Sequence, residues 1–505
     1  MIRKRIMRNR RTAAGTAVIL LLLGVVVTGC KTARQVAARY PSSDIEAIYA
    51  DALPNAQRNP VVLVHGFAGA TLQRIEDDAT VWGTLFTEDS LLPSKQQGLE
   101  AFALDIDGLE PPVDASHLAF IEDDTHAVEL LETVRADAGV MDINVGIYAA
   151  LVELMEESGY GDCQGDPTAI ETLEIPPCLT FFYDWRQDNV GNAIRLGEFL
   201  EEARAQIAVV ENREGAGAGP RARFDLIAHS MGGLVSRYFL RYGATDVLED
   251  SLPPVTWAGA EYLDRLIMIS TPNFGAMRVL KEMVVGRRYP VVKFEPAMIA
   301  TWVSAYQMLP RQEHAVWLDV EGRPVEIDVF SAQTWMENSW GPFAPGQDRF
   351  LAWVFPDETS LESRQERMRV FMDAAFERAG RFFQAMDQHS DARCPIDLIL
   401  FAADIQPTPA RLAMMEKKGK QILRFENTRN LTLREPGDGS VTRASAVADE
   451  RLLGTGKGFV SSPIPWDRKI FLTDMHVTFL GNPTFQNNLL HILLETPPSK
   501  RAEPN

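Results

Sequence analysis

The chain has 505 residues, 46% of them hydrophobic and 24% charged, with a formal net charge of −19. That is enough apolar material for a large core, or for one large domain with insertions, in an ordinary globular composition. The acid is dispersed as a solvated surface, which argues against nucleic acid as a partner.

The N-terminus reads as a targeting segment. Arg3, Lys4, Arg5, Arg8, Arg10 and Arg11 form a basic stretch, and residues 13–27 are apolar but short for a membrane span. Val27-Thr28-Gly29-Cys30 follows, and this resembles the lipobox of bacterial lipoproteins. The resemblance implies a diacylglyceryl thioether on Cys30, cleavage before it, and acylation of the new N-terminus. Several acyl chains on one residue give stable anchoring. An uncleaved signal anchor and a plain secretory signal are the alternatives, and the cysteine favours the lipoprotein. The expectation is a signal peptide at 1–29, a polar tether at 30–59 and export to the cell envelope, lipid-anchored there. Lys31 rather than Asp after Cys30 favours the outer membrane in a host with two. Export implies an oxidising compartment. Cys163 and Cys178 bracket a Gly/Pro-containing loop and are a candidate disulfide; a Cys178–Cys394 pair stays open. The cysteine spacing offers no metal-ligand motif, and no metal or cofactor is expected.

The core opens at 60–69, PVVLVHGFAG, a buried strand running into a glycine-containing turn. The stretch 72–137 is mixed and poorly periodic. Asp105-Ile106-Asp107-Gly108 lacks the distal Glu of a calcium loop and reads as a turn. Periodicity predicts a helix over 143–157, a strand over 179–183 ending in Asp184-Trp185-Arg186, and a helix over 195–210. A flexible breaker, EGAGAGP at 214–220, then leads into a strand at 224–228.

That strand runs into Ala228-His229-Ser230-Met231-Gly232, after which Leu234, Val235, Tyr238 and Phe239 recur at helical spacing. The pattern is strand, tight turn and helix with serine at the apex. The strained serine needs small neighbours two residues away, and Ala228 and Gly232 supply them. The turn lifts the Ser230 hydroxyl above the sheet and aims the Met231 N–H, at a helix start, towards a developing oxyanion. The bland alternative is a serine that merely caps a helix. Phe67, after His65-Gly66, is the candidate for the second donor.

A strand at 264–270 ends in TPNFG. A long insertion follows, 276–390, holding Trp302, Trp317, Trp335, Trp340 and Trp353 and a helix over 364–388 that carries Phe371, Phe376, Phe382 and Phe383. It reads as a cap in which some aromatics form a core of its own and others face an acyl chain. The sheet resumes at 396–401. The core is thus split into 60–275 and 391–495, and a polar tail at 496–505 is expected to be disordered.

A serine hydroxyl needs a base, and the base needs an acid. Asp474-Met475-His476-Val477 offers the histidine. Two acids compete. Asp404 ends the strand after 398–403, the usual place, whereas Asp438 lies between Gly437 and Gly439 in a turn that can aim a carboxylate inwards; the second is preferred. His65, His229 and the Asp184/Arg186 pair read as structural, and His491 as a core histidine.

Five landmarks now combine: VLVHGFAG, FYDWR at 182–186, AHSMGG at 228–233, GDGSVTRAS at 437–445 and the His476 loop. Over about 60–495 the chain resembles the lecithin:cholesterol acyltransferase family of α/β-hydrolases, in the form of a bacterial lipoprotein. The resemblance implies a mostly parallel central sheet flanked by helices, with a large cap. It places the triad on Ser230, Asp438 and His476 and the oxyanion donors on Phe67 and Met231. It implies an acyl-serine enzyme that takes an acyl group from a lipid ester and passes it to a hydroxyl or to water. A lipase or carboxylesterase transferring only to water, and a catalytically dead lipid-binding lipoprotein, are the alternatives.

Overall fold

A computed structural model describes residues 52–83, 102–109, 112–131, 133–137, 142–146, 148–213, 222–248, 251–288, 293–311, 316–427, 431–451 and 461–499. Cys30, the expected signal peptide and most of the expected tether lie outside them.

Short aliphatic runs build the centre. The strands are β1 (Val61–Val64), β2 (Cys163–Gln164), β3 (Cys178–Phe181), β4 (Phe224–His229), β5 (Leu263–Ile269), β6 (Asp397–Ala403) and β7 (Arg468–Leu472). They form one sheet in the order β7-β6-β5-β4-β1-β3-β2, with every neighbouring pair parallel. Parallel strands are buried on both faces, which is why they read as unbroken apolar runs. Alternate residues divide between the faces. Val62, Val64, Leu226, Ala228, Leu266 and Met268 join one hydrophobic cluster, and Val61, Leu63, Ile227, Ile267 and Ile269 join another.

The main helices are α1 (Ala149–Glu157), α2 (Asn189–Arg213), α3 (Gly232–Tyr242), α4 (Met277–Val285), α5 (Leu361–Asp387) and α6 (Pro483–Leu490). Helices α2, α3 and α5 cover the first face, and α1 and α6 the second. The chain leaves β1 towards β3 and returns on its other side as β4, so the strand order reverses there. Ligand crevices of open α/β sheets form at such a switch, beyond the strands' C-terminal ends.

Several expectations shift. The helix expected over 143–157 begins only at Ala149, because Asp142–Gly146 is a strand paired antiparallel with Thr133–Asp137. β-Branched Ile143 and Val145 suit a strand, and Gly146 punctuates it. Within 72–137, Ala70–Arg74, Thr80–Trp82 and Thr125–Leu130 form a small antiparallel sheet. In the insertion, Trp302, Trp317, Trp335, Trp340, Phe371, Phe376 and Phe382 are buried in the same cluster as the first sheet face. Helix α5 is also tied to the body by charge: Arg378 Nε and Nη2 each lie 2.9 Å from the Asp188 carboxylate, which also accepts from the Val190 and Gly191 N–H groups that start α2. His491 is exposed and pairs with Glu495 at 2.6 Å instead of sitting in the core.

Cys163 and Cys178 are joined by a disulfide and are register partners across β2 and β3; Cys394 is buried and outside it. At the opposite end of the sheet from the crevice, Asp225, Arg265 and Asp397 stand in register on β4, β5 and β6. Arg265 Nη1 meets Asp225 at 2.8 Å and Arg265 Nη2 bonds Thr496 O, while Ser499 N donates to Asp397 at 2.8 Å. Burial pushes Asp225 up to about 6 despite Arg265 beside it. The chain is therefore hydrogen-bonded as far as Ser499, further than the disordered tail expected from 496 onwards. No helix among the described residues is long and apolar enough to cross a membrane.

Candidate active site

Ser230 follows the last residue of β4 and precedes α3, with a left-handed backbone at φ 54°. A non-glycine residue holds that conformation only under constraint. The constraint is visible: Ser230 N–H donates to Ile269 O of β5 at 2.7 Å, and Gly233 N–H donates to Ser230 O at 3.0 Å. The elbow also presses against β1. A Cβ on Gly232 would lie 2.3 Å from His65 O and 2.4 Å from Val64 O, so only glycine fits there.

His476 Nε2 lies 2.9 Å from Ser230 Oγ, and His476 Nδ1 lies 2.8 Å from Asp438 Oδ2. A carboxylate can only accept, so Nδ1 carries the proton and Nε2 accepts from the serine hydroxyl. Asp438 is 2% exposed. Its other oxygen accepts from Ser440 N–H at 2.8 Å and Val441 N–H at 2.7 Å. Burial pushes this carboxyl up, but the His476 charge and hydrogen bond, with the Val441 and Ser440 N–H groups, hold it below the usual carboxylate range. His476 N–H also donates to Asp438 O at 3.0 Å, so backbone and side chain both dock the two loops.

Asp438 reaches this position although it lies far past β6. After β6, Gln406–Pro409 pairs antiparallel with Arg434–Gly437, and the chain between them makes an excursion. The pairing returns the chain to the end of β6, where Gly439 N–H donates to Thr408 Oγ1 at 2.8 Å. Asp404 ends the strand as expected, but the His476 Nδ1 position is filled by Asp438.

Phe67 and Met231 stand at the C-terminal ends of β1 and β4. Among the described residues neither of their N–H groups meets an acceptor, which leaves both available. The orientation of the first is set by its own peptide. Gly66 O accepts from His65 Nδ1 at 2.9 Å and from Gly69 N–H at 3.0 Å. In a planar trans peptide the Phe67 N–H then points the opposite way. His65 is fixed in turn by the FYDWR stretch. Its ring stacks on Tyr183 at 4.1 Å, its Nε2 accepts from Tyr183 N–H at 3.3 Å, and its carbonyl accepts from Tyr183 OH at 2.6 Å. Burial pushes His65 down to about 4, so the ring stays neutral. Trp185 packs edge-on against Phe67 at 4.7 Å, and Trp302 of the insertion lies 5.5 Å from the same ring. Asp184 and Arg186 form the buried pair read as structural, with Arg186 also bonded to Asp123 and Thr125.

Sequence reasoning missed Tyr148, whose hydroxyl meets both Gly66 N and His229 Nδ1. Nothing in its neighbourhood marks it, since it simply precedes α1. It also missed Thr408, which holds the turn of Asp438. Met475 and Val477, on either side of the half-buried His476, are 50% and 40% exposed. Among the described residues there is no cluster of three or more His, Cys, Asp or Glu that could hold a metal.

The parallel sheet is that of an α/β-hydrolase fold, and it brings together a strained serine after a central strand, a hydrogen-bonded histidine and acid, and two N–H groups that meet no acceptor among the described residues. The chain is an enzyme of the acyltransferase or lipase type. The likeness to the lecithin:cholesterol acyltransferase family holds, because that family's model matches residues 126–366, a span that includes FYDWR and Ser230 and ends before Asp438 and His476. Similar solved structures include a chain of the Tle4–Tli4 complex, at 15% identity over 86% of this chain and 97% of that one, TM-score 0.48. The mature form of Bacillus licheniformis lipase BlEst2 matches at 10% identity over 86% and 90%, TM-score 0.28. Lipase 1 from Pelosinus fermentans matches at 12% over 87% and 99%, TM-score 0.33. No curated protein matches the chain.

Proposed function

We propose that this protein is an envelope-anchored serine lipid acyl hydrolase and O-acyltransferase. The observation that carries the reading is the hydrogen-bonded series Ser230 Oγ, His476, Asp438 at 2.9 and 2.8 Å. His476 Nε2 takes the Ser230 proton as Oγ attacks the carbonyl carbon of a lipid ester. Asp438 faces the imidazolium that forms, and the Phe67 and Met231 N–H groups receive the oxyanion. The tetrahedral intermediate collapses, the C–O bond to the alcohol breaks, and His476 returns its proton to that alcohol. An acyl-Ser230 remains. A hydroxyl or water then gives its proton to His476, attacks the acyl carbon, and frees the serine by the same route. The exposed Met475 and Val477 suit a mouth that works at a lipid surface. Anchoring through Cys30 would hold the enzyme at such a surface.

The test uses a fluorophosphonate probe and product analysis on the full chain. Wild type should label, and Ser230→Ala should lose label and drop ester turnover by about 10³-fold or more while keeping its fold. Equal labelling and turnover would remove Ser230 from the chemistry. Adding an alcohol should divert product from free acid to new ester; free acid alone would assign the chain as a hydrolase to water.

A further inference from the structure

The two oxyanion donors sit on segments far apart in sequence, Phe67 after β1 and Met231 after β4. Their separation must be held to a fraction of an ångström for both to reach one oxygen. Backbone pairing in the sheet stops short of them, at Val64 opposite Ala228. Beyond that point, among the described residues, one side-chain hydrogen-bond link joins the two turns: the Tyr148 hydroxyl, 2.7 Å from Gly66 N and 2.9 Å from His229 Nδ1.

The protons can be assigned. Gly66 N–H can only donate, so Tyr148 Oη accepts from it. Burial, then the neighbouring His476 charge, pushes His229 down to about 3, so that ring is neutral and one nitrogen is a bare acceptor. The phenol proton goes to His229 Nδ1, and burial keeps the phenol protonated by pushing it above its ordinary range. Tyr148 is 3% exposed and its ring packs edge-on to His229 at 5.6 Å, so the hydroxyl has no freedom to leave. Meanwhile Gly66 O is held from the other side by His65 and Gly69. The peptides on both sides of Gly66 are thus fixed, one by Tyr148 and one by His65.

We propose that Tyr148 is a positioning residue for the oxyanion hole, clasping the Gly66 turn to the strand end that carries the nucleophile. The inference rests on the acyl-transfer reading above. Tyr148 touches neither substrate nor reacting atoms; it acts through the direction of the Phe67 N–H relative to that of Met231.

The experiment is Tyr148→Phe in the full chain, assayed on a soluble short-chain ester and against a trifluoromethyl ketone of the same acyl group. The ketone's hemiketal oxygen needs the same two donors as the transition state. The expected result is a fall in kcat of about 10- to 100-fold, since a misaligned donor costs less than a deleted one. KM should change less than about threefold, and ketone affinity should fall in step with kcat/KM. A variant with kcat within twofold of wild type, or with KM and kcat lost together and ketone affinity unmoved, overturns the proposal. Should Tyr148→Phe not fold, His229→Asn and His229→Leu replace it. Asn offers an oxygen where Nδ1 stood and should retain several-fold more kcat than Leu; equal losses overturn the proposal. Active wild type with inactive Ser230→Ala isolates this inference. Activity surviving Ser230→Ala would instead sink the acyl-transfer reading itself.

Discussion

Ser230 and Asp438 are the two residues whose roles depend most on backbone geometry. The left-handed φ of Ser230 costs roughly 1–3 kcal/mol, and the hydrogen bond to β5 and the contact of Gly232 with β1 hold it there. Asp438 depends on the return of the chain to β6. Asp438→Asn should lower kcat by up to about 10⁴-fold, because the imidazole loses the partner that fixes its tautomer. Asp404→Asn should cost far less, and the opposite ranking in purified, folded variants would move the acid to Asp404. The two neutral histidines make a separate prediction. His65 is held down to about 4 and His229 to about 3, against an ordinary 6.5. Below pH 6.5 the unfolded chain takes up protons that the folded rings refuse, so stability must fall as pH falls towards those folded values. The slope is up to about 1.4 kcal/mol per pH unit for each ring. Urea midpoints at neutral pH and at about pH 5 would show it, and a flat profile would mean that both rings take up their protons in the fold.

At the scale of elements, the insertion is welded to the body more than a cap requires. Helix α5 places Arg378 on the Asp188 carboxylate, and that same carboxylate starts α2. Asp188 is 0% exposed, so removing its partner leaves a buried charge. Arg378→Met should therefore destabilise the fold by about 3–5 kcal/mol, and adding Asp188→Asn should recover part of it. A loss below about 1 kcal/mol would show that the backbone N–H groups and the Gln307 amide, 2.5 Å from Asp188, suffice for it. Any movement that admits a lipid then falls to shorter pieces than α5. The Gln406–Pro409 and Arg434–Gly437 pair does for the acid what the elbow does for the serine: it converts a long excursion into a fixed position. Its turn contains Gly439 at φ 91°, which a side chain would strain.

Across the whole molecule the sheet has two different ends. The C-terminal ends of β1, β4, β6 and β7 gather the Gly66 turn, Ser230, Asp438 and His476, whereas the other end carries the buried Asp225, Arg265 and Asp397 row. Chain segments near both termini meet close to that second end: Asn59 Nδ2 bonds Asp225 and Asp264 at 3.0 and 3.1 Å, and Leu53 N–H donates to Leu494 O. Leu53 and Asn59 thus join the body away from the crevice. Cys30→Ser should abolish fatty-acid labelling and release the protein from the membrane fraction while leaving turnover of a soluble ester intact. Undiminished labelling of the variant would remove the lipobox reading.

The sequence by itself determined the central strands β1, β3, β4, β5 and β6 and the turn that carries Ser230, because these depend on local pattern. A buried parallel strand is a short apolar run, and a strained serine between a strand and a helix needs small neighbours that can be read directly. His476 and Asp438 were legible through their motifs, and Cys163 and Cys178 through the loop they bracket, while a Cys178–Cys394 pair stayed open until the structure joined the first two. Tertiary structure alone decided the rest. That Asp438 meets His476 follows from an antiparallel pair 25 residues apart in chain but adjacent in space (Gln406–Pro409 with Arg434–Gly437), a long-range pairing that no local period announces. Trp302, Trp317, Trp335 and Trp340 of the insertion joined the cluster of the first sheet face because burial is a property of what packs opposite, not of the residue. Tyr148 was silent for the same reason: a tyrosine before a helix is ordinary until two turns, one 82 residues before it and one 81 after it, converge on its hydroxyl.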